Sequence, residues 1–358
     1  SGVLMSRSAA MPQITQPEFD AVLLLSFGGP EGPDDVIPFL ENVTRGRGIP
    51  PERLAEVGEH YFQFGGISPI NGQCRDLLAA LGAELEREGP RLPLYWGNRN
   101  WTPMLADTLS KMADDGVRRA VAVTTSAFSS YSACRQYLDD IDRAREVVGE
   151  RAPIVEKLAP YWNHPSFIDT MIANTKVALE ELGDAGAGAR LVFTAHSIPM
   201  AMATGSDYEV ELREAAALVA AAAAPNSAFD LVFQSRSGPP TQPWLEPDIC
   251  DHLRALSAAR VGAVVLIPIG FVSDHMEVLF DLDTEARAVA GGLDLPMKRA
   301  ATVGIAPRFV SGLRELIADH LCGREPQSVG ERGARSYPCA PGCCAYVPRR
   351  PTSRPEAK

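Results

Sequence analysis

Short apolar runs alternate with longer stretches of helical period along most of this chain. Segments 20–27 (DAVLLLSF), 92–96 (LPLYW), 119–125 (RAVAVTT) and 153–157 (PIVEK) predict four strands. Segments 190–196 (RLVFTAH), 230–235 (DLVFQS), 263–269 (AVVLIPI) and 297–302 (MKRAAT) predict four more. The first three of each set are near-continuous apolar runs, the pattern of parallel strands covered on both faces. Between the strands, 73–88, 102–115, 131–148, 208–224 and 247–259 read as helices, and 308–321 as a closing one. Two successive sets of βα units predict an α/β chain of two similar Rossmann-like domains, each a four-stranded parallel sheet flanked by helices. The expected organisation is a flexible N-terminal segment over 1–18, domains over 19–160 and 161–307, and a closing helix over 308–323. Beyond it, 324–358 turns to Pro, Gly, Arg and Ser, a tail without a core of its own.

Charge and composition narrow the partners. Lys and Arg number 34 against 45 Asp and Glu, a net charge of −11. That balance argues against nucleic acid, which calls for a basic excess. The longest apolar runs, 215–224 and 263–272, are far shorter than the roughly twenty residues of a membrane span. No transmembrane segment is expected, and the N-terminus lacks the charged start and apolar core of a secretory signal. Seven cysteines in 358 residues are too sparse for a disulfide scaffold, so free thiols in a reducing cytoplasm are expected.

Ligands of open parallel sheets sit outside the carboxyl ends of the strands. Those ends carry SFGGP at 26–30, TSA at 125–127, HS at 196–197, SRS at 235–237 and GF at 270–271. His196 is therefore either a structural strand-end residue or an imidazole placed to accept a proton or bind a metal. Glu277, Asp281 and Glu285, four apart after the strand AVVLIPIGFV, line one face if that segment is helical. Such a row is either a solvated acidic face or a set of hard oxygen donors suited to a divalent cation or a proton relay. The turn SFGGPEGP is neither a dinucleotide fingerprint nor a phosphate loop. FGGISPING at 64–72 offers backbone amides and close approach to a flat ligand, and Arg45 and Arg47 suit carboxylates or phosphates. In the tail, Cys339, Cys343 and Cys344 resemble part of an iron–sulfur or zinc ligand set. The fourth ligand would come from Cys134, Cys322, Cys74 or Cys250.

Taken in order, LLLSFGGPEGPDDVIPFLENVTRGRG, HYFQFGGISPING, LVFTAHSIP, FQSRSGPPTQPWLEPD and IPIGFVSDHMEVLFDLDTEAR resemble the ferrochelatases. These class II chelatases insert Fe²⁺ into a porphyrin in haem synthesis. The Arg-rich turn, the PFLENV helix and the Cys-bearing tail look like the actinobacterial branch, which metallates coproporphyrin III rather than protoporphyrin IX. The resemblance implies a porphyrin cleft between two Rossmann-like domains. It makes His196 and Glu277 catalytic, with His196, Glu277, Asp281 and Glu285 handling the Fe²⁺ substrate. It places Phe27, Arg45, Arg47, Ser68, Ser126 and Tyr131 on the porphyrin. It also implies a [2Fe–2S] cluster on Cys134, Cys339, Cys343 and Cys344, with Cys322 as the alternative fourth ligand. Porphyrin and Fe²⁺ are the expected partners, and a monomer the expected state. The rivals are a cobalt chelatase and a non-catalytic porphyrin or haem carrier of the same fold. Two departures stand out: Phe27 replaces a Tyr able to reach product iron, and the second-strand loop reads Gly97-Asn98-Arg99-Asn100, without the His of some relatives.

Overall fold

The computed structural model describes residues 18–347. All eight expected strands form: β1 (Ala21–Ser26), β2 (Leu94–Asn98), β3 (Arg119–Thr124), β4 (Ile154–Lys157), β5 (Arg190–His196), β6 (Phe229–Gln234), β7 (Val264–Ile267) and β8 (Met297–Arg299). They make two all-parallel sheets ordered β2-β1-β3-β4 and β6-β5-β7-β8. The apolar run is the cause: Ala21 to Leu25 are at most 1% exposed, as a central strand covered on both faces must be. β7 stops at Ile267 because Pro268, without an N–H, cannot extend the ladder.

The first sheet carries helices α1 (Pro33–Val43), α2 (Pro51–Phe62), α3 (Ile70–Glu88), α4 (Leu105–Asp114) and α5 (Gln136–Val148). The second carries α6 (Pro165–Glu181), α7 (Met200–Ala203), α8 (Tyr208–Ala223), α9 (Ile249–Ala258) and α10 (Arg287–Gly292), while α11 (Pro307–Leu321) returns to pack on β3 and α3 of the first half. The hydrophobic pattern does not single out α2 or α6. On α6 the buried residues include Ser166, Thr170 and Thr175. The threonines satisfy themselves on carbonyls four residues back, Ser166 and Met171, so polar residues stand on a core face. The helix expected over 131–148 begins instead as a π-turn, Tyr131–Arg135.

One core runs through both halves, from Val22 and Leu24 to Leu191 and Phe193, and α11 packs on α3 and α6 together. The tail docks on this body: Val329 and Tyr346 pack against the core, and Val329 N–H donates to the Asn163 carbonyl at 2.9 Å. The segment expected to be flexible over 1–18 falls, apart from Glu18, outside the described residues, as do 348–358. Among the described residues no helix is long and apolar enough to cross a membrane.

Candidate active site

His196 ends β5, and its Nδ1 lies 2.5 Å from the carbonyl oxygen of Ser197. A carbonyl only accepts, so Nδ1 carries a proton, and in the neutral ring Nε2 presents a lone pair. Nε2 faces Oε1 of Glu277 at 3.9 Å, and the two side chains, 35% and 44% exposed, are open to a ligand. His275 flanks Glu277 from the other side. Its Nδ1 is 3.0 Å from Oε2 but poorly aligned, so it stays buried without a hydrogen-bond partner.

Glu277 leads into a π-helix, Val278–Ala286, a form that concentrates at functional sites. Burial, then the negative charges of Glu277 and Glu285, push the Asp281 carboxyl up to about 7, against a hydrogen bond from Ser235 and the pull of His196. Asp281 thus lies beside both neighbours in the row, and Glu285 is exposed at its outer end. Asp283, next in sequence but not in the row, is taken by Arg299 at 2.6 and 2.8 Å. Among the described residues no Lys, Arg or His forms an ion pair with Asp281 or Glu285.

Strand pairing builds the rest. His196 is in register with Gln234, whose Nε2 donates to the Glu277 carbonyl at 2.9 Å and to Asp281 Oδ2 at 3.4 Å. The next residue, Ser235, gives its hydroxyl to Asp281 from a left-handed backbone, φ 63°, which a non-glycine residue holds at a cost. Leu245 N–H donates to the Ile198 carbonyl at 3.0 Å and Ser197 Oγ donates to the Leu245 carbonyl at 2.8 Å. Trp244 is thereby held against the turn that follows His196, with its Nε1 buried and unpartnered. Sequence reasoning did not assign Gln234, Ser235, Trp244 or His275 a role. Ser235 stands in the strand-end segment 235–237, and the signal for the others is that they lie inside the motifs FQSRSGPPTQPWLEPD and SDHMEVLF.

The other lobe faces this one. His60 of α2 stacks on Phe280 with ring centroids 4.0 Å apart, and Gln73 Nε2 donates to the Asp274 carbonyl at 2.8 Å. A cavity of about 340 Å³ lies between α3, the end of β3, Asn174 of α6 and segments 272–274 and 301–306, and neither His196 nor Glu277 lines it. Phe27 follows β1 and packs edge-on against Phe39 at 6.2 Å. Ser68 is buried, its N–H clipped to the Pro30 carbonyl at 2.9 Å, and Ser126 is half-buried past β3. Arg45 and Arg47 stand exposed beyond α1, with Arg45 Nη2 donating to Asn42 Oδ1 at 2.6 Å. Tyr131 packs instead against the tail, edge to Tyr346 at 5.6 Å.

Four of the seven cysteines, Cys134, Cys339, Cys343 and Cys344, lie near one another, while Cys250 sits by Asp281 and Glu285. Cys134 and Cys344 are buried and hydrogen-bonded to each other, and Cys343 Sγ lies 3.7 Å from Cys344 Sγ. The bond from Cys344 holds the Cys134 thiol below its usual range, with the Lys157 cation adding to the effect. Burial, then the charges of Cys343 and Cys134, raise Cys339, with Lys157 and Arg335 opposing. Cys322 is exposed at the end of α11 and is not among them. As placed, no three His, Cys, Asp or Glu groups among the described residues converge tightly enough to close a metal site.

A ferrochelatase family model matches residues 19–321. The chain is 52% identical over 338 residues to the ferrochelatase of Rhodopirellula baltica, covering 94% of this chain and 96% of that one. It is 51% identical to the coproporphyrin III ferrochelatase of Streptomyces coelicolor (94% and 96% covered) and 50% to that of Nocardia farcinica (94% and 98%). Its fold is shared with SirB from Bacillus subtilis with Fe3+, at a TM-score of 0.53 and 12% identity, covering 84% of this chain and 97% of that one. The strand-end histidine, the carboxylate row and a match spanning nearly the whole described body agree: this chain belongs to the ferrochelatase family.

Proposed function

We propose that this chain inserts Fe²⁺ into coproporphyrin III, with release of two protons, as a step of haem biosynthesis. The carrying observation is the His196–Glu277 pair, a free imidazole lone pair facing a carboxylate oxygen at 3.9 Å. Insertion needs acceptors for the two pyrrole protons and hard donors that release a dehydrated cation. Nε2 of His196 accepts a pyrrole proton, and Glu277 is its partner carboxylate. Asp281, whose carboxyl exchanges a proton near neutrality, and the exposed Glu285 lead from the pair to solvent as metal donors or relay groups. Phe27, Ser68 and Ser126 line the macrocycle's seat, and Tyr131, packed edge-on against Tyr346 of the tail, borders it. Arg45 and Arg47 on the rim suit propionate carboxylates, of which coproporphyrin carries more than protoporphyrin. The relatives named coproporphyrin III ferrochelatases support that choice. Both walls come from one chain, which supports a monomer, and seven free thiols support a cytoplasmic setting.

Cys134, Cys339, Cys343 and Cys344 would hold a [2Fe–2S] cluster. The donor type suits such a cluster: Cys344 bonds to Cys134 and lies 3.7 Å from Cys343, the charges of Cys134 and Cys343 reach Cys339, and the cations of Lys157 and Arg335 favour thiolates, though the thiols as they stand are not closed around a metal. When bound, the cluster supplies one-electron chemistry and a cross-link from tail to body. Metal insertion is carried by the residues of the other site.

The test is an anaerobic visible-absorption assay with Fe²⁺ and, separately, coproporphyrin III and protoporphyrin IX. Conversion of the free-base to the metalloporphyrin spectrum, faster with coproporphyrin, is expected. Preference for protoporphyrin would overturn the substrate assignment. Binding without conversion of either would favour a carrier, and turnover with Co²⁺ on sirohydrochlorin alone a cobalt chelatase.

A further inference from the structure

Lys157 ends β4 with its side chain in the interior, 6% exposed. Its ammonium donates to the Leu158 carbonyl at 2.8 Å, and among the described residues no carboxylate pairs with it. A buried cation without a counter-charge is costly, so the residues around it hold the explanation. Its charge reaches the sulfurs of Cys134 and Cys339. The other nearby cation, Arg335, is already neutralised by Asp207 and Glu211. Lys157 pairs with no carboxylate among the described residues, and its charge falls on two of the four thiols, Cys134 and Cys339.

We propose that Lys157 is the buried counter-charge of the four-cysteine site, holding an anionic iron–sulfur assembly against the protein body and setting its reduction equilibrium. This rests on the cluster reading given above. An oxidised [2Fe–2S] centre with four thiolates bears two net negative charges, since two ferric ions are outweighed by two sulfides and four thiolates. One electron reduces a single ferric ion to ferrous and adds a third negative charge. A fixed cation favours that more negative state. Lys157 is itself buried, which limits the screening of its charge by solvent and salt.

The test uses the full chain, reconstituted anaerobically with ferrous iron and sulfide and titrated with dithionite. Visible absorption and electron paramagnetic resonance follow the centre. Lys157→Met, which keeps the length and loses the charge, is expected to shift the reduction equilibrium at least tenfold toward the oxidised form, about 59 mV for a one-electron couple. Lys157→Arg is expected to stay near wild type. A cluster in Lys157→Met with an unshifted equilibrium overturns the role of Lys157 while leaving the cluster in place. A wild-type chain that takes up no cluster overturns the cluster reading, and this proposal with it. If Lys157→Met assembles no cluster, Lys157→Arg decides: a cluster regained with Arg supports the need for charge, and none in either overturns it.

Discussion

Tyr208, buried at the start of α8, donates its hydroxyl to the backbone carbonyl of His196 at 3.0 Å. Together with the bond from Nδ1 to Ser197, this fixes both the backbone and the ring of the proposed proton acceptor. His196→Ala and Glu277→Gln are each expected to lower turnover by about 10²-fold or more, the range of a lost acid–base group, with porphyrin binding retained. Tyr208→Phe removes one hydrogen bond of about 1 kcal/mol and should cost tenfold or less. Steady-state rates and porphyrin fluorescence titrations read both effects. Near-normal turnover in both His196→Ala and Glu277→Gln would sink the assignment.

Asp281 makes the metal-free protein's stability depend on pH. Its carboxyl, raised first by burial and then by the charges of Glu277 and Glu285, titrates at about 7 when folded, against 3.8 as the ordinary value. Between those values the folded state keeps a proton that the unfolded state has lost. Stability therefore falls as pH rises from about 4 to about 7 and levels off above, by up to ~4 kcal/mol at ~1.36 kcal/mol per unit. Asp281→Asn keeps an oxygen to accept from Ser235 and cannot ionise. Thermal unfolding with a chelator present should show the variant more stable than wild type at pH 8, and the two close at pH 4. Equal or lower stability of the variant at pH 8 would contradict the shift.

Gly238 is the position where a side chain cannot be added without moving Trp244. A Cβ there would lie 2.1 Å from Trp244 Nε1, in the loop clamped to the turn after His196. Gly238→Ala must displace the indole, at a cost of about 1–3 kcal/mol for overpacking. The expected result is altered tryptophan fluorescence and porphyrin affinity lowered about tenfold, with His196 chemistry still present at saturation. An unchanged porphyrin titration would mean that Trp244 does not shape the seat.

The parts of this fold legible in the sequence are those set by local pattern. Short near-continuous apolar runs such as that from Ala21 to Leu25 marked the first three strands of each sheet, and β4 and β8 followed from the repeated βα spacing. The row Glu277, Asp281, Glu285 was legible as a periodicity, though the segment winds as a π-helix. What could not be read is what depends on distant partners. The near-neutral titration of Asp281 arises from its burial against β6, with Ser235 46 residues away in sequence. The tail looked coreless because its anchors are polar and lie 124 residues back, where Arg335 meets Glu211. α6 was hidden by Thr170 and Thr175, whose hydroxyls are satisfied within their own helix.

Those anchors give the last prediction. Glu211 is 1% exposed and accepts both the N–H and the hydroxyl of Ser129 at 2.7 Å, while Arg335 reaches it at 2.8 Å from the tail. Removing Arg335 strands a buried carboxylate, a loss of about 3–5 kcal/mol where one partner of a buried pair is deleted. Part of that loss will be relieved by the tail leaving the body, since Glu211 then regains water. Arg335→Met should therefore make the segment after α11 sensitive to limited proteolysis while the body stays folded. Adding Glu211→Gln removes the stranded charge and should recover part of the stability, a coupling that a double-mutant cycle measures directly. The neighbouring pair of Arg332 with Glu214, at 3.4 Å and with the arginine 42% exposed, is the control. As a partly solvated pair, its loss through Arg332→Met should cost no more than about 1 kcal/mol and leave the tail protected. Equal proteolysis in Arg335→Met and Arg332→Met would show that the tail is held by its apolar contacts at Val329 and Tyr346 rather than by the buried charge pair.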